Sequence, residues 1–184
     1  MRVITGSARG ISLQAPPGLT RPTMDRVRAA IFSSLGDAVP GARVLDLFAG
    51  SGGLGIEALS RGAESAVFVD TDRASALCIR RNLSKARLEG IVQTMDALRF
   101  VELYAEEHAF DLIFADPPYA KIDGDRDWAA ELVAGGHIAS ALAPAGTFIL
   151  ECARMAPPPE GGGLSLLHSK SYGETSVLYF VRGS

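Results

Sequence analysis

The sequence predicts an α/β fold wound around a mostly parallel sheet, and three observations carry that expectation. Apolar, strand-like runs alternate with amphipathic stretches from residue 43 to 151, the pattern of consecutive βα units. The first run, Arg43-Val44-Leu45-Asp46-Leu47-Phe48, passes straight into a glycine-rich turn and a helix-like segment. The chain then closes on two strand-like segments with only a short turn between them, which suits an antiparallel pair.

Each element has its own signal. An N-terminal hairpin is expected over approximately residues 2 to 14. A Pro-Gly-rich connection leads to a helix from about Thr23 to Leu35, with Met24, Val27, Ile31 and Leu35 on its apolar face. Strands follow near 43 to 48, 66 to 70, 91 to 95, 110 to 115 and 146 to 151. Helices near 53 to 60, 72 to 87, 97 to 104 and 127 to 142 separate them, and right-handed crossovers make such strands parallel. After Pro157-Pro158-Pro159 and Gly161-Gly162-Gly163, the segments 164 to 170 and 174 to 182 read as strands joined by Ser171-Tyr172-Gly173. One domain of 184 residues is expected, an N-terminal extension over 1 to 40 and a core over 41 to 184.

Composition narrows the function classes. With 47% hydrophobic and 21% charged residues the chain is an ordinary globular protein. No segment approaches the roughly twenty apolar residues of a membrane span, so a cytoplasmic location is expected. Cys78 and Cys152 are expected as buried free thiols. His108, His137 and His168 lack ligand spacing, and no metal is expected. The net charge of −3 is uneven: Arg2, Arg9, Arg21, Arg26, Arg28 and Arg43 stand against Asp25 and Asp37 in the first 43 residues, a local excess of +4. A basic arm on an acidic body fits a local contact with phosphates. A second stripe, Arg73, Arg80 and Arg87, reads as a solvated helix face. The carboxylates of residues 121 to 127 do not continue as a calcium loop, because Trp128 and Ala134 fall where glycine and glutamate belong; a polar flap is expected there.

Two motifs carry chemistry. Gly50, Gly52 and Gly55 have the G-x-G-x-x-G spacing at a strand-to-helix junction, where glycine permits a tight turn and close approach of a nucleoside-bearing ligand. Asp70, at the end of the second strand and twenty residues beyond Gly50, is placed to accept hydrogen bonds from ribose hydroxyls. Asp46 would repel a pyrophosphate but suits a cationic ligand such as S-adenosylmethionine, which the face of Phe48 would also favour. The second motif is Asp116-Pro117-Pro118-Tyr119, after the apolar run 110 to 115. An exocyclic amine on a base is a weak nucleophile. A carboxylate and two prolines, which keep carbonyls but lack N–H groups, offer it acceptors without competing donors. Tyr119 can stack on an extruded base.

Over most of its length the chain resembles the bacterial family of 16S ribosomal RNA guanine-N2 methyltransferases. The resemblance rests on Met1-Arg2-Val3-Ile4 with Gly6 and Arg9-Gly10, Arg21-Pro22-Thr23 with Asp25-Arg26-Val27-Arg28, and Val44 through Gly52. It continues with Leu54-Gly55, Glu57 through Ala63, Asp116 through Tyr119, and Tyr172-Gly173. It implies a Rossmann-like class I S-adenosylmethionine-dependent methyltransferase fold, with a mostly parallel seven-stranded sheet, an antiparallel C-terminal ending and an N-terminal β-hairpin and helix. It implies that Thr23 and Arg26 help seat the methionine end of the cofactor, and that Ala49, Gly50, Ser51, Gly52 and Gly55 hold its backbone. Asp70 would bind the ribose, Asp96 with Ala97 the adenine, and the Asp116 loop the target base. Arg2, Arg9, Arg21 and Arg28 are expected to meet RNA, and the partner would be 16S rRNA or the assembling small subunit. One departure weakens the RNA grip: Ile11, Ser12 and Leu13 follow the Arg-Gly pair, where the family has further basic residues. Adenine-N6 methylation of DNA, methylation of a protein glutamine, a nicotinamide-dependent dehydrogenase and a non-catalytic RNA-binding module are the alternatives.

Overall fold

The structure, a computed structural model, describes residues 1–16, 25–118, 125–154 and 157–183. The chain forms two compact units, Met1–Ala97 and Leu98–Ser184.

In the first unit the expected hairpin forms around an antiparallel bridge between Arg2 and Ser12. Val3 N donates to the Ile11 carbonyl at 2.9 Å and Leu13 N to the Met1 carbonyl at 3.0 Å. Helix α1 (Asp25–Leu35) buries Val27, Ile31 and Phe32. Three parallel strands follow, β1 (Arg43–Leu47), β2 (Ser65–Asp70) and β3 (Ile91–Thr94), in the order β3-β2-β1. Val44, Leu45 and Leu47 are all buried, so β1 is covered on both faces and reads as a continuous apolar run instead of an alternating one. Helix α2 (Gly53–Ser60) leaves β1 through the glycine turn, and α3 (Arg73–Ala86) leaves β2. Asp72 caps α3, accepting from the N–H groups of Ala74 at 3.1 Å and Ser75 at 3.2 Å. At its other end Arg87 closes the helix in the left-handed region, at φ 55°.

The second unit holds most of α4 (Ala97–Leu103), then β4 (Phe110–Ala115), α5 (Trp128–Ala134), α6 (His137–Ala141), β5 (Leu142–Ala153), β6 (Leu164–Tyr172) and β7 (Thr175–Arg182). Its strands run in the order β4-β5-β7-β6, with β4 and β5 parallel and both β7 pairings antiparallel. The helix expected over 127 to 142 is two helices. Gly136, at φ 75°, takes a left-handed turn that ends the first and starts the second. Strand β5 starts at Leu142, earlier than expected, because a register irregularity lets Phe110 pair with Leu142 while Leu112 pairs with Thr147. The predicted final hairpin is present, with β7 buried and β6 an exposed edge. These elements are those of the Rossmann-like class I methyltransferase fold. Cys78 and Cys152 are buried and free. Among the described residues no helix is long and apolar enough to cross a membrane, and no cluster of three potential metal ligands occurs.

Candidate active site

Because β1, β2 and β3 are parallel, their carboxyl ends lie along one edge of the first unit, where Phe48–Gly52, Asp70 and Asp96 are placed. The glycine turn is held from two sides. Ala49 N donates to the Val69 carbonyl at 3.1 Å, and Gly50 N donates to Asp70 Oδ2 at 2.8 Å. The same carboxylate accepts from Asp72 N through Oδ1 at 2.9 Å. These two bonds fix the Asp70 side chain at the edge and leave it lone pairs that can accept further hydrogen bonds. Gly50 at φ 55° and Gly52 at φ 77° are in the left-handed region, as is Phe48 at φ 57°, where a bulky residue is strained.

Asp46 serves the turn more than the solvent. It is 2% exposed and its Oδ2 accepts from Gly55 N at 2.8 Å. The N-cap of helix α2 is Gly52, which has no side chain to cap it, so a carboxylate from the preceding strand satisfies an orphan N–H and meets the positive end of the helix dipole. A Cβ on Gly55 would lie 2.3 Å from a ring carbon of Phe68 and 3.1 Å from Asp46 Oδ2. Gly55 is therefore a close-packing glycine between helix and strand. Ser51 is buried and its carbonyl accepts from Asn82 Nδ2 at 2.9 Å. Ala49 and Ala97 are buried and Asp96 is half-buried.

The N-terminal arm is pinned to the helix that leaves this turn. Glu57 is completely buried in α2; it accepts from Ile4 N at 2.7 Å, Thr5 N at 3.0 Å and Arg61 Nε at 2.8 Å. Ser60 Oγ donates to the Thr5 carbonyl at 2.6 Å and accepts from Ala8 N at 2.9 Å. A Cβ on Gly6, whose φ is 89°, would fall 1.7 Å from the Ser60 carbonyl oxygen, so only glycine lets the arm lie this close. Asn82 extends the clamp to α3 by exchanging bonds of 2.9 Å with Gln14 N and the Gln14 carbonyl.

Arg28 corrects an expectation. Expected to face RNA, it is fully buried instead. Its guanidinium donates to Asp25 Oδ1 at 3.0 Å, to the Arg2 carbonyl and to the Met1 thioether at 2.6 Å, and its Nε lies 3.9 Å from Glu57 Oε2. Burial lowers its pKa, opposed by the charges of Asp25 and Glu57. Arg2, Arg9 and Arg26 are exposed. Arg21 and Thr23 lie outside the described residues. Sequence reasoning assigned no role to Glu57, Ser60 and Asn82. The available signal was a glutamate interrupting the apolar residues of a helix, since an acid there is seldom buried unless paired.

In the second unit, β4 delivers the other motif. Strand β4 buries Phe110 and Leu112 through Ala115, Asp116 is half-buried, Pro117 is buried and Pro118 is exposed. The strand thus ends on a carboxylate followed by two residues without N–H groups. Tyr119 and the flap residues 121 to 124 lie outside the described residues. Farther along β5, Cys152 has its thiol pushed up to about 11 by burial and by the charges of Glu151 and Asp127.

The family model described as conserved hypothetical protein 95 matches residues 1–181. The YlbH protein of Bacillus subtilis (strain 168) is 50% identical over 123 residues, 65% of this chain and 67% of YlbH. The ribosomal RNA small subunit methyltransferase D of Escherichia coli (strain K12) is 40% identical over 124 residues, 66% of this chain and 61% of that enzyme. Against that enzyme the match therefore spans less than two thirds of its length. Among solved structures, YhhF of Escherichia coli superposes with a TM-score of 0.82 at 31% identity, covering 100% of this chain and 98% of that chain. The chain belongs to the conserved hypothetical protein 95 family, whose model covers it almost from end to end.

Proposed function

We propose that this chain transfers the methyl group of S-adenosylmethionine to the exocyclic N2 of a guanine in 16S ribosomal RNA, acting in the cytoplasm on the RNA or the assembling small subunit. The carrying observation is the bond between Gly50 N and Asp70 Oδ2, 2.8 Å across twenty residues of sequence. It unites the glycine turn and the ribose-binding acid in one built edge. The similarity to an enzyme named for ribosomal RNA methylation directs the acceptor.

The residues present fit the methyl donor. The turn is cradled in the left-handed backbone that close approach requires, and one acid ends β2 while another follows β3, at the positions suited to ribose and adenine. Asp70 would hold the ribose hydroxyls, Asp96 with Ala97 the adenine, and Phe48 through Gly52 the methionine-bearing side, with Thr23 and Arg26 supporting its far end. When bound, S-adenosylmethionine would supply a sulfonium-activated, electrophilic methyl group, with a neutral thioether as the leaving group. Asp116 accepts a hydrogen bond from the amine and draws its lone pair out of conjugation. Pro117 contributes a carbonyl, Pro118 no competing donor, and Tyr119 a stacking surface. Position and electrostatics supply the acceleration.

The test is to incubate the chain with S-adenosylmethionine and small ribosomal subunits lacking base methylation, then to analyse the nucleosides by mass spectrometry. N2-methylguanosine, absent with Asp116→Ala, is the expected product. N6-methyladenosine, or no methylated nucleoside despite cofactor binding, would overturn the reading.

A further inference from the structure

The solvent face of α3 has a charge pattern that the fold does not explain. Arg73, Arg80, Arg81 and Lys85, with Arg87 at the C-cap, are all exposed, and the helix itself contains no carboxylate. Of the acids flanking the helix, Asp72 is committed to the N-cap, and Glu89, beyond the C-cap, stands beside Arg80 against five cations. Two placements work against the helix. Arg73 occupies its first position, at the positive end of the dipole, and Arg81 and Lys85 are like charges four residues apart. Among the described residues Arg73, Arg81 and Arg87 join no ion pair. By helix geometry Arg73, Arg80 and Arg87 follow one another at about 10 Å along one side.

The face also continues onto the hairpin. Lys85 Nζ donates to the Ser12 carbonyl at 2.7 Å, and Ser12 is the bridge partner of the exposed Arg2. A chain of net charge −3 therefore concentrates at least six cations on one continuous surface of the first unit. We propose that this face of α3 is a second contact for the RNA phosphate backbone, continuous through Lys85 with Arg2 on the hairpin. The inference rests on the RNA-directed function proposed above and adds to it the helix that the sequence alone left as a solvated surface. It also offsets the missing basic residues after Arg9-Gly10, because Lys85 stands beside the very segment, at Ser12, where they are absent.

The decisive variant is Arg73→Gln/Arg81→Gln/Arg87→Gln. It spares Arg80, which donates to the Val92 carbonyl at 3.0 Å, and Lys85, which holds the arm. Binding to small-subunit RNA is measured across a salt series, together with methylation kinetics and binding of S-adenosylhomocysteine. Removal of three phosphate contacts should make the log–log salt slope shallower by about two units. KM should rise on the order of tenfold, with kcat and S-adenosylhomocysteine affinity within about twofold of the parent. The control Arg154→Gln/Lys170→Gln/Arg182→Gln removes the same charge from the second unit and should leave the slope unchanged. An unaltered slope in the α3 variant, or an equal change in the control, overturns the proposal. A parent chain that binds RNA with the expected slope but methylates nothing would refute the proposed reaction and leave the salt slope to decide the α3 face.

Discussion

Glu57→Gln tests whether the buried network under the N-terminal arm is a structural unit. The carboxylate is fully buried and accepts from two backbone N–H groups and Arg61, while Arg28 Nε stands 3.9 Å away. An amide of the same shape keeps one acceptor oxygen and turns an NH2 group toward groups that are themselves donors. Leaving one buried N–H without its partner costs about 1–3 kcal/mol. The larger cost comes from Arg28, whose guanidinium is fully buried and would lose one of its two compensating charges. Breaking a buried pair from one side costs about 3–5 kcal/mol. Both costs fall on one network and do not add, so the larger governs, and Tm should fall by roughly 6–20 °C for a domain of this size. Urea unfolding followed by circular dichroism measures the loss. Limited trypsin digestion reads the arm directly, since Arg2 and Arg9 are exposed and become cleavable once the arm loosens. A loss under about 1 kcal/mol, with the arm still protected, would refute the claim that Glu57 holds it.

Three further outcomes are expected. Asp116→Ala should lower kcat by about two to three orders of magnitude, as for loss of an electrostatic catalytic group, with cofactor affinity within a few fold; near-native turnover would remove Asp116 from the mechanism. Gly55→Ala gains about 1 kcal/mol of helix propensity but places a methyl 2.3 Å from the buried Phe68 ring. Overpacking costs about 1–3 kcal/mol, so a net loss of stability and weaker S-adenosylhomocysteine binding should follow, and calorimetry showing a more stable protein with unchanged binding would contradict the packing argument. Cys152, with its thiol near 11, should resist a thiol-directed reagent at pH 8, where fast labelling of the native protein would contradict its burial. Its effect on stability has a definite sign. An unfolded thiol ionises near the usual 9.0 while the folded one holds its proton to about 11, so this contribution is full below pH 9 and is lost as the pH rises toward 11.

Much of the fold was legible because local signals and tertiary demands agree. The run Val44-Leu45-Asp46-Leu47 could only be a strand buried on both faces, and the glycines after it could only be a turn into a helix. Where the two levels diverge, the sequence misleads. Residues 127 to 142 are helix-forming overall, yet Gly135-Gly136 lets the chain break into two short helices. The start of β5 depends on a register irregularity that only pairing with β4 reveals. Ala143-Pro144-Ala145-Gly146 reads locally as a turn.

The site shows the same divide at the level of single side chains. Asp70 was legible because its spacing from the glycine turn is a local constraint of one βαβ unit. Asp46 was legible as a carboxylate in the first strand, but its bond to the N–H of Gly55 emerges only once the N-cap of α2 is seen to be a residue with no side chain. Arg28 was misread because nothing in residues 25 to 28 distinguishes an arginine bound for solvent from one bound for Glu57. That distinction is set by a helix about thirty residues away. The arm and the glycine turn are therefore coupled through α2: Glu57 and Ser60 grip the arm from the same helix whose first turn Asp46 and Gly55 fix. A perturbation of the arm should thus be felt at the glycine turn itself, and would weaken S-adenosylhomocysteine binding there if the turn holds the cofactor as proposed.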